Sequence, residues 1–212
     1  MTDVAARERN PQVLRIAGFL KRSTVNGPGV RSVVWAQGCP LRCLGCFNPH
    51  LWDARGGKKI SISHLAETIC STRGIDGATF SGGEPFFQAD ALAKLAAILH
   101  SNDLSVLTFT GYTFECLTRS KERSWQRLLK ETDLLVAGPF HGGNHLHRTS
   151  PGPTDKEIFC LTDRIHPWNL TIEPGTVSIE YTITPAGTVL ISGFPVTPLR
   201  ERFHMLGTTG GG

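Results

Sequence analysis

Cys39, Cys43 and Cys46 stand within one short segment, Cys39-Pro-Leu-Arg-Cys43-Leu-Gly-Cys46, and this spacing constrains the fold more than any other feature of the chain. Gly38, Pro40, Gly45 and Pro49 keep the segment out of helix and strand, so it must be a loop carried by regular structure on either side. Three thiolates at Cx3Cx2C spacing suit three corners of an iron–sulfur cube. No fourth protein ligand lies nearby, and a [4Fe–4S] cluster held in this way keeps one iron open to a substrate. Structural zinc is the competing reading. Such sites usually close with a fourth Cys or His, and His50 is the near candidate. Disulfides are a third reading, but this pattern in an intracellular chain points to metal or redox chemistry. Cys70, Cys116 and Cys160 are scattered among apolar residues and are expected to be small buried hydrophobes.

The chain of 212 residues has room for one good-sized domain with a small appendage, and an apolar fraction of 40% is ordinary for a packed chain. No apolar run approaches the ~18 residues needed to span a bilayer. Residues 1–12 are polar and carry both charge signs, which reads as neither signal peptide nor membrane segment, so the cytoplasm is the expected compartment. The net charge of +4 is mild. Lys121, Arg123, Arg127 and Lys130 surround a predicted helix; a solvated face is the simple account, and a docking surface for an acidic partner is the alternative. No basic stripe interleaved with aromatics suggests nucleic acid.

Val13–Leu20 and Arg31–Gln37 read as strands, the second running directly into the cysteine loop. Ser63 is a plausible N-cap for a helix reaching about Thr72, with Ile62, Leu65, Ala66 and Ile69 on one face and Gly74 as the stop. A short strand, Gly77–Phe80, leads to a Gly-Gly turn. Ala89–His100 reads as an amphipathic helix, Leu104–Thr110 as a strand, Phe114–Leu117 and Trp125–Leu129 as helical pieces, and Leu134–Ala137 as a strand. This alternation implies a parallel sheet with crossover helices, whose ligands sit beyond the carboxyl ends of the strands. The loops Cys39–Cys46, Gly82–Pro85, Thr110–Tyr112 and Gly138–Phe140 all follow strands and are expected to converge on one edge. Residues 141–157 read as a long irregular loop holding His141, His145 and His147; a second metal site is the sharp reading and a surface loop over the sheet edge the plain one. Val177–Thr184 and Thr188–Ser192 flank Pro185-Ala-Gly187 as a β-hairpin. The division expected is a core at 13–165, a hairpin extension at 166–206 and a disordered tail at 207–212.

Residues 26–48, NGPGVRSVVWAQGCPLRCLGCFN, followed by Ser81-Gly82-Gly83-Glu84-Pro85, make the chain resemble the radical S-adenosylmethionine (SAM) enzymes. The TGYTFE segment at Thr110–Glu115 and DLLVAGPF at Asp133–Phe140 bring it closer to activating enzymes of glycyl-radical enzymes, especially the activase of anaerobic (class III) ribonucleotide reductase. The resemblance covers roughly residues 13–165. It implies an α/β fold, a partial (βα)-type parallel-stranded radical SAM barrel, here with a C-terminal β-hairpin extension. It also implies a [4Fe–4S] cluster on Cys39, Cys43 and Cys46, with SAM chelating the open iron through its amino and carboxylate groups. The Gly82-Gly83 turn would let the backbone approach the ligand closely and orient the methionine amino group, with Glu84 supplying negative charge and Thr110 on the neighbouring loop also in contact. Phe47 would either pack on the adenine or plug the barrel end.

The implied reaction is reductive SAM cleavage. A flavodoxin- or ferredoxin-like donor supplies the electron, and the 5′-deoxyadenosyl radical formed takes a hydrogen atom from a glycine Cα of a glycyl-radical partner. Three departures stand out. Gly45 replaces the aromatic that the wider superfamily often has before the third cysteine. Ala137 stands where the activases commonly have Asp. The RGSSNQ segment is absent, Arg148-Thr149-Ser150 being followed by Pro151-Gly-Pro-Thr-Asp-Lys-Glu157. The last two are expected on the side where a partner approaches. Two other readings stay open: a radical SAM enzyme acting directly on a small molecule or peptide, and a non-catalytic Fe–S or zinc binding module.

Overall fold

Strand-forming residues alternate with amphipathic helices along the chain, and the computed structural model shows how they pair; it describes residues 12–140, 156–165, 179–183 and 189–193. Nine strands and four helices are present among the described residues: β1 Val13–Ser23, β2 Arg31–Ala36, β3 Lys58–Ser61, α1 Ile62–Cys70, β4 Gly77–Gly82, α2 Ala89–His100, β5 Ser105–Phe109, α3 Phe114–Arg119, α4 Arg123–Lys130, β6 Leu134–Ala137, β7 Glu157–Cys160, β8 Ile179–Ile183 and β9 Val189–Gly193. Seven strands form one sheet in the order β3-β1-β2-β4-β5-β6-β7. Its centre is parallel, with β2 on β4, β4 on β5 and β5 on β6. Its flanks are antiparallel, with β3 on β1, β1 on β2 and β7 on β6. The protein is therefore mixed α/β with a parallel-rich sheet: the parallel order expected between residues 30 and 140 holds for β2, β4, β5 and β6, while β3 departs from it and β1 and β7 flank the parallel part from outside that stretch.

Strand alternation divides the sheet into two faces. Leu14, Val34, Ala36, Ala78, Phe80, Val106, Leu135 and Ala137 point to one face and are almost fully buried against Leu65 and Ile69 of α1, Leu92, Leu95 and Leu99 of α2, Leu117 of α3 and Leu128 of α4. Burying each such leucine or isoleucine contributes about 1.5–3 kcal/mol, which is what holds the helices down. Leu107, Leu134 and Ile165 pack on the other face with Phe109 and Val136. Ala137 is thus wholly buried on the helical face. This corrects the expectation that the position faces an approaching partner.

Several boundaries shift. Ser61, not Ser63, caps α1, accepting from His64 N at 3.4 Å, because β3 runs straight into the helix and the cap falls at their junction. β3 has no strong strand signature in Lys58-Lys59-Ile60-Ser61; pairing with β1 makes it a strand. β7 begins at Glu157, inside the segment read as loop, for the same reason. Cys116 and Cys160 are exposed and Cys70 is half-buried, so the three are not buried core residues. Cys116 precedes the buried Leu117 and is turned about 100° away from it on α3; Cys160 lies on an edge strand. The hairpin is present as β8 paired antiparallel with β9, a two-stranded sheet of its own. His141, His145 and His147, the departure around Arg148 and the tail 207–212 lie outside the described residues.

The NGPG-x-R stretch sits at the end of the sheet away from the cysteines. Arg31 opens β2 and the cysteine loop follows its other end, roughly 20 Å off at strand rise. Arg31 is buried, with Nε donating to Thr79 Oγ1, Nη1 to Pro28 O and Ser105 Oγ, and Nη2 to Ala78 O and Ser105 O. Burial lowers its pKa to about 10, against the fields of Asp133 and Asp76. This part of the motif ties together the amino ends of β2, β4 and β5.

Candidate functional site

At the carboxyl ends of β2, β4, β5 and β6 lies a cleft with about 140 Å³ of space. Cys39, Cys43, Cys46, Phe47, Gly82, Gly83, Glu84 and Thr110 all line it, so the structure brings these cluster and cofactor candidates to one place. Leu41, Asn48, Trp52, Ser81, Phe109, Gly111, Phe140 and Lys156 complete the described lining. The loops after four different strands contribute. The geometric reason is that parallel strands all end on the same edge.

The cysteine loop is fixed at its base. Gly38 N donates to Leu51 O at 2.8 Å and Cys39 N to Trp52 O at 3.2 Å. Within it, Cys46 N donates to Cys43 O at 3.2 Å, closing a turn, and Asn48 N donates to the Cys46 sulfur at 3.4 Å. All three cysteines are half-buried and none is in a disulfide. Burial pushes the Cys39 thiol up, while the N–H groups of Leu41 and Arg42 pull it back and the nearby Glu84 and Cys43 add to the rise. A thiol of this kind gives up its proton most readily to a metal that binds its thiolate.

The Gly82-Gly83 turn is demanded by the protein's own packing. Gly83 N donates to Ala36 O at 2.8 Å and Glu84 N to Gly38 O at 2.9 Å, which presses the turn onto the start of the cysteine loop. A Cβ on Gly83 would lie 2.4 Å from Gly38 O, and one on Gly82, where φ is +101°, would lie 2.7 Å from Ala36 N and O. The glycines therefore couple the turn to the cysteine loop as well as exposing backbone to the cleft.

Glu84 is 1% exposed. Its Oε1 accepts from Phe86 N at 3.0 Å and Thr110 Oγ1 at 2.8 Å, and its Oε2 accepts from Gly111 N at 2.8 Å. Burial raises its pKa, while those three donors and Lys156 pull it back. Thr110, expected to touch a ligand, spends its hydroxyl proton on Glu84 and accepts from Tyr112 N at 3.1 Å. Glu84 and Thr110 thus pin the end of β4 to the end of β5. Phe47 stacks obliquely on Phe140 with ring centroids 4.9 Å apart, forming an aromatic wall.

Two lining residues escaped the sequence reading. Lys156 Nζ donates to Thr110 O and Gly138 O. A single lysine among polar residues carries no signal; the β6–β7 pairing brings it back to the cleft. Trp52 has a buried indole Nε1–H with no hydrogen-bond partner. A tryptophan soon after the third cysteine is a visible cue, but its orphaned donor is not.

These atoms suit an iron–sulfur group. Three cysteine sulfurs on one loop, none in a disulfide, are the donors such clusters take, and the buried Trp52 N–H lining the same cleft has no acceptor among the described residues. Among the described residues no three His, Cys, Asp or Glu side chains are gathered to hold a single metal ion. Among them, too, no helix is long and apolar enough to cross a membrane.

Comparison with known proteins agrees with this geometry. Residues 25–154 match the family described as 4Fe–4S single cluster domain. Over 148 residues the chain is 32% identical to proteins named pyruvate formate-lyase-activating enzyme from Staphylococcus aureus strains USA300, NCTC 8325 / PS 47 and bovine RF122 / ET3-1. The aligned part is 67% of this chain and 59% of each relative, so the match spans little more than half of their length.

Proposed function

The chain belongs to the 4Fe–4S single cluster domain family and to the glycyl-radical-activase-like group of radical SAM proteins, and from that premise we propose that it reductively cleaves SAM and generates a glycyl radical on a partner enzyme. The observation that carries the reading is the meeting of three cysteines, the Gly82–Glu84 turn and an aromatic wall in one cleft. Cys39, Cys43 and Cys46 would hold the [4Fe–4S] cluster. A bound cluster would supply the one electron that reductive cleavage of the SAM C–S bond needs, and the products would be methionine and a 5′-deoxyadenosyl radical able to take a hydrogen atom from a glycine Cα.

The chain's residues bind, orient and shield. The pinned turn Gly82-Gly83 presents backbone to the amino-acid end of SAM, at a distance from the cysteine loop set by the bonds to Ala36 and Gly38. Glu84 acts as a buried negative charge behind that turn, held by three donors rather than free to swing. Phe47 and Phe140 form the apolar wall against which the adenosyl group would lie, limiting access of water to the radical. The open sheet would serve as a partial barrel, with the cleft at the carboxyl ends of its parallel strands. The electron donor is a flavodoxin or ferredoxin-like protein, the partner is a glycyl-radical enzyme, and both meet the chain in the cytoplasm. The relatives' name specifies pyruvate formate-lyase as what they activate; for this chain the proposal is kept at the class of glycyl-radical enzymes.

The test is anaerobic reconstitution with iron and sulfide, addition of SAM and dithionite, and chromatography for 5′-deoxyadenosine. Wild type is expected to yield product and Cys43→Ala none. Absence of product from cluster-loaded wild type sinks the catalytic reading, and product from Cys43→Ala sinks the ligand assignment. A glycyl-radical enzyme encoded beside this chain, mixed in, should acquire a glycyl radical signal by electron paramagnetic resonance (EPR).

A further inference from the structure

Lys156 is the one cationic side chain among the described residues lining the cleft, and neither holding irons nor orienting the Gly82-Gly83 turn requires it. Its ammonium is anchored by two carbonyl oxygens, Thr110 O just past β5 and Gly138 O just past β6. The cost of burying a charge there is large, and two neutral acceptors offset only part of it. Burial pulls its pKa down to about 8, against the field of Glu84. Glu84 acts at a remove, because its oxygens take their hydrogen bonds from Phe86, Thr110 and Gly111. What the ammonium shares the cleft with is the cysteine loop: Cys39, Cys43 and Cys46 line the same space.

We propose that Lys156 sets the reduction potential of the cluster held by Cys39, Cys43 and Cys46, its anchored ammonium making that cluster easier to reduce. Three thiolates make the group anionic, and reduction adds one more negative charge. A fixed positive charge in a partly water-free cleft stabilises the reduced state more than the oxidised one. The coupling is reciprocal: whatever the anionic cluster does to keep Lys156 charged, charged Lys156 does for the added electron. Position matters as much as charge. The two carbonyls hold the ammonium still, so its field does not average away as it would on a solvated lysine. Lys156 therefore acts as a positioning residue for the electron rather than a group that touches substrate. The inference rests on the cluster-binding half of the proposed function and not on SAM cleavage.

The experiment is an EPR-monitored redox titration, without SAM, of the full-length chain as wild type, Lys156→Gln and Lys156→Arg, each reconstituted anaerobically and matched for iron and sulfide content. Glutamine keeps an N–H donor for the carbonyls and removes the charge; arginine keeps the charge. The expected result is a midpoint potential shifted to more negative values in Lys156→Gln, with Lys156→Arg close to wild type. Equal midpoints in wild type and Lys156→Gln overturn the proposal, and so does an equal shift in both variants, which would make the effect one of packing. Loss of the cluster from either variant also overturns it, because Lys156 would then govern assembly. Wild type that takes up a cluster but fails to cleave SAM refutes the catalytic reading and leaves the midpoint comparison standing.

Discussion

Thr110→Val separates a pinned carboxylate from a ligand contact. Thr110 Oγ1 donates to Glu84 Oε1 at 2.8 Å inside a site where both residues are almost fully buried. A hydrogen bond to an ionised group contributes about 1.5–3 kcal/mol, against about 0.5–1.5 kcal/mol between neutral groups. Valine removes the donor, so Thr110→Val should destabilise the protein by about 2 kcal/mol once Glu84 is ionised. In a Glu84→Gln background the same change should cost about 1 kcal/mol, giving a coupling of roughly 1 kcal/mol. The pH dependence has a definite sign. Burial raises the Glu84 pKa above its ordinary 4.5, so the fold favours the protonated form. The stability that preference contributes is complete below about 4.5 and is lost as pH rises through the higher folded value. The advantage of wild type over Glu84→Gln, which cannot ionise, must fall across that window. The cost of Thr110→Val must grow there as the carboxylate forms. Urea denaturation of the four chains at several pH values, in one state of cluster loading throughout, measures both. A Thr110→Val cost that is identical in both backgrounds at every pH, the high end included, refutes the pinning argument.

Gly83→Ala places a methyl 2.4 Å from Gly38 O, so backbone must move; thermal melts should show a loss of about 1–3 kcal/mol together with weaker cluster retention by absorbance, and unchanged retention would show that the turn and cysteine loop are uncoupled. Arg31→Met strips donors from Pro28, Thr79, Ala78 and Ser105 at the far end of the sheet; it should cost about 3–5 kcal/mol in denaturation while leaving the EPR line shape of the cluster as in wild type. Trp52→Phe removes an indole N–H that has no partner, so the cluster-free protein should be no less stable, whereas the loaded protein should lose its cluster faster to a chelator; a destabilised cluster-free variant would contradict the orphaned-donor reading.

Local signals on the chain carried much of the architecture. The apolar spacing of Ala89–His100 specified α2 because Leu92, Leu95, Ala96 and Leu99 recur at helical period, and Leu134–Ala137 read as a strand because its apolar run is short and stops at Gly138-Pro139. The order of strands and helices also foretold that four loops would meet at one edge. The antiparallel flanks were not legible. Lys58–Ser61 and Glu157–Cys160 are strands because β1 and β6 offer them unpaired edges, a property of the partner and not of their own residues. Cap choice at α1 was ambiguous for a similar reason, since Ser61 and Ser63 differ only in which one the end of β3 delivers to the first turn.

The sequence by itself offered the donor set: three cysteines at this spacing stand in a loop that Gly and Pro hold open after a strand, whatever the rest of the chain does. Tertiary structure alone decided what surrounds that set. Glu84 becomes a buried, pinned charge only when β4 and β5 lie side by side and Thr110 and Gly111 face it. Gly82 and Gly83 become obligatory only when Ala36 and Gly38 press against them. Lys156 enters the cleft only through the register of β7 on β6. Hydrogen bonds and fields act through space over a few ångströms, and the residues they join here stand tens of positions apart in the chain.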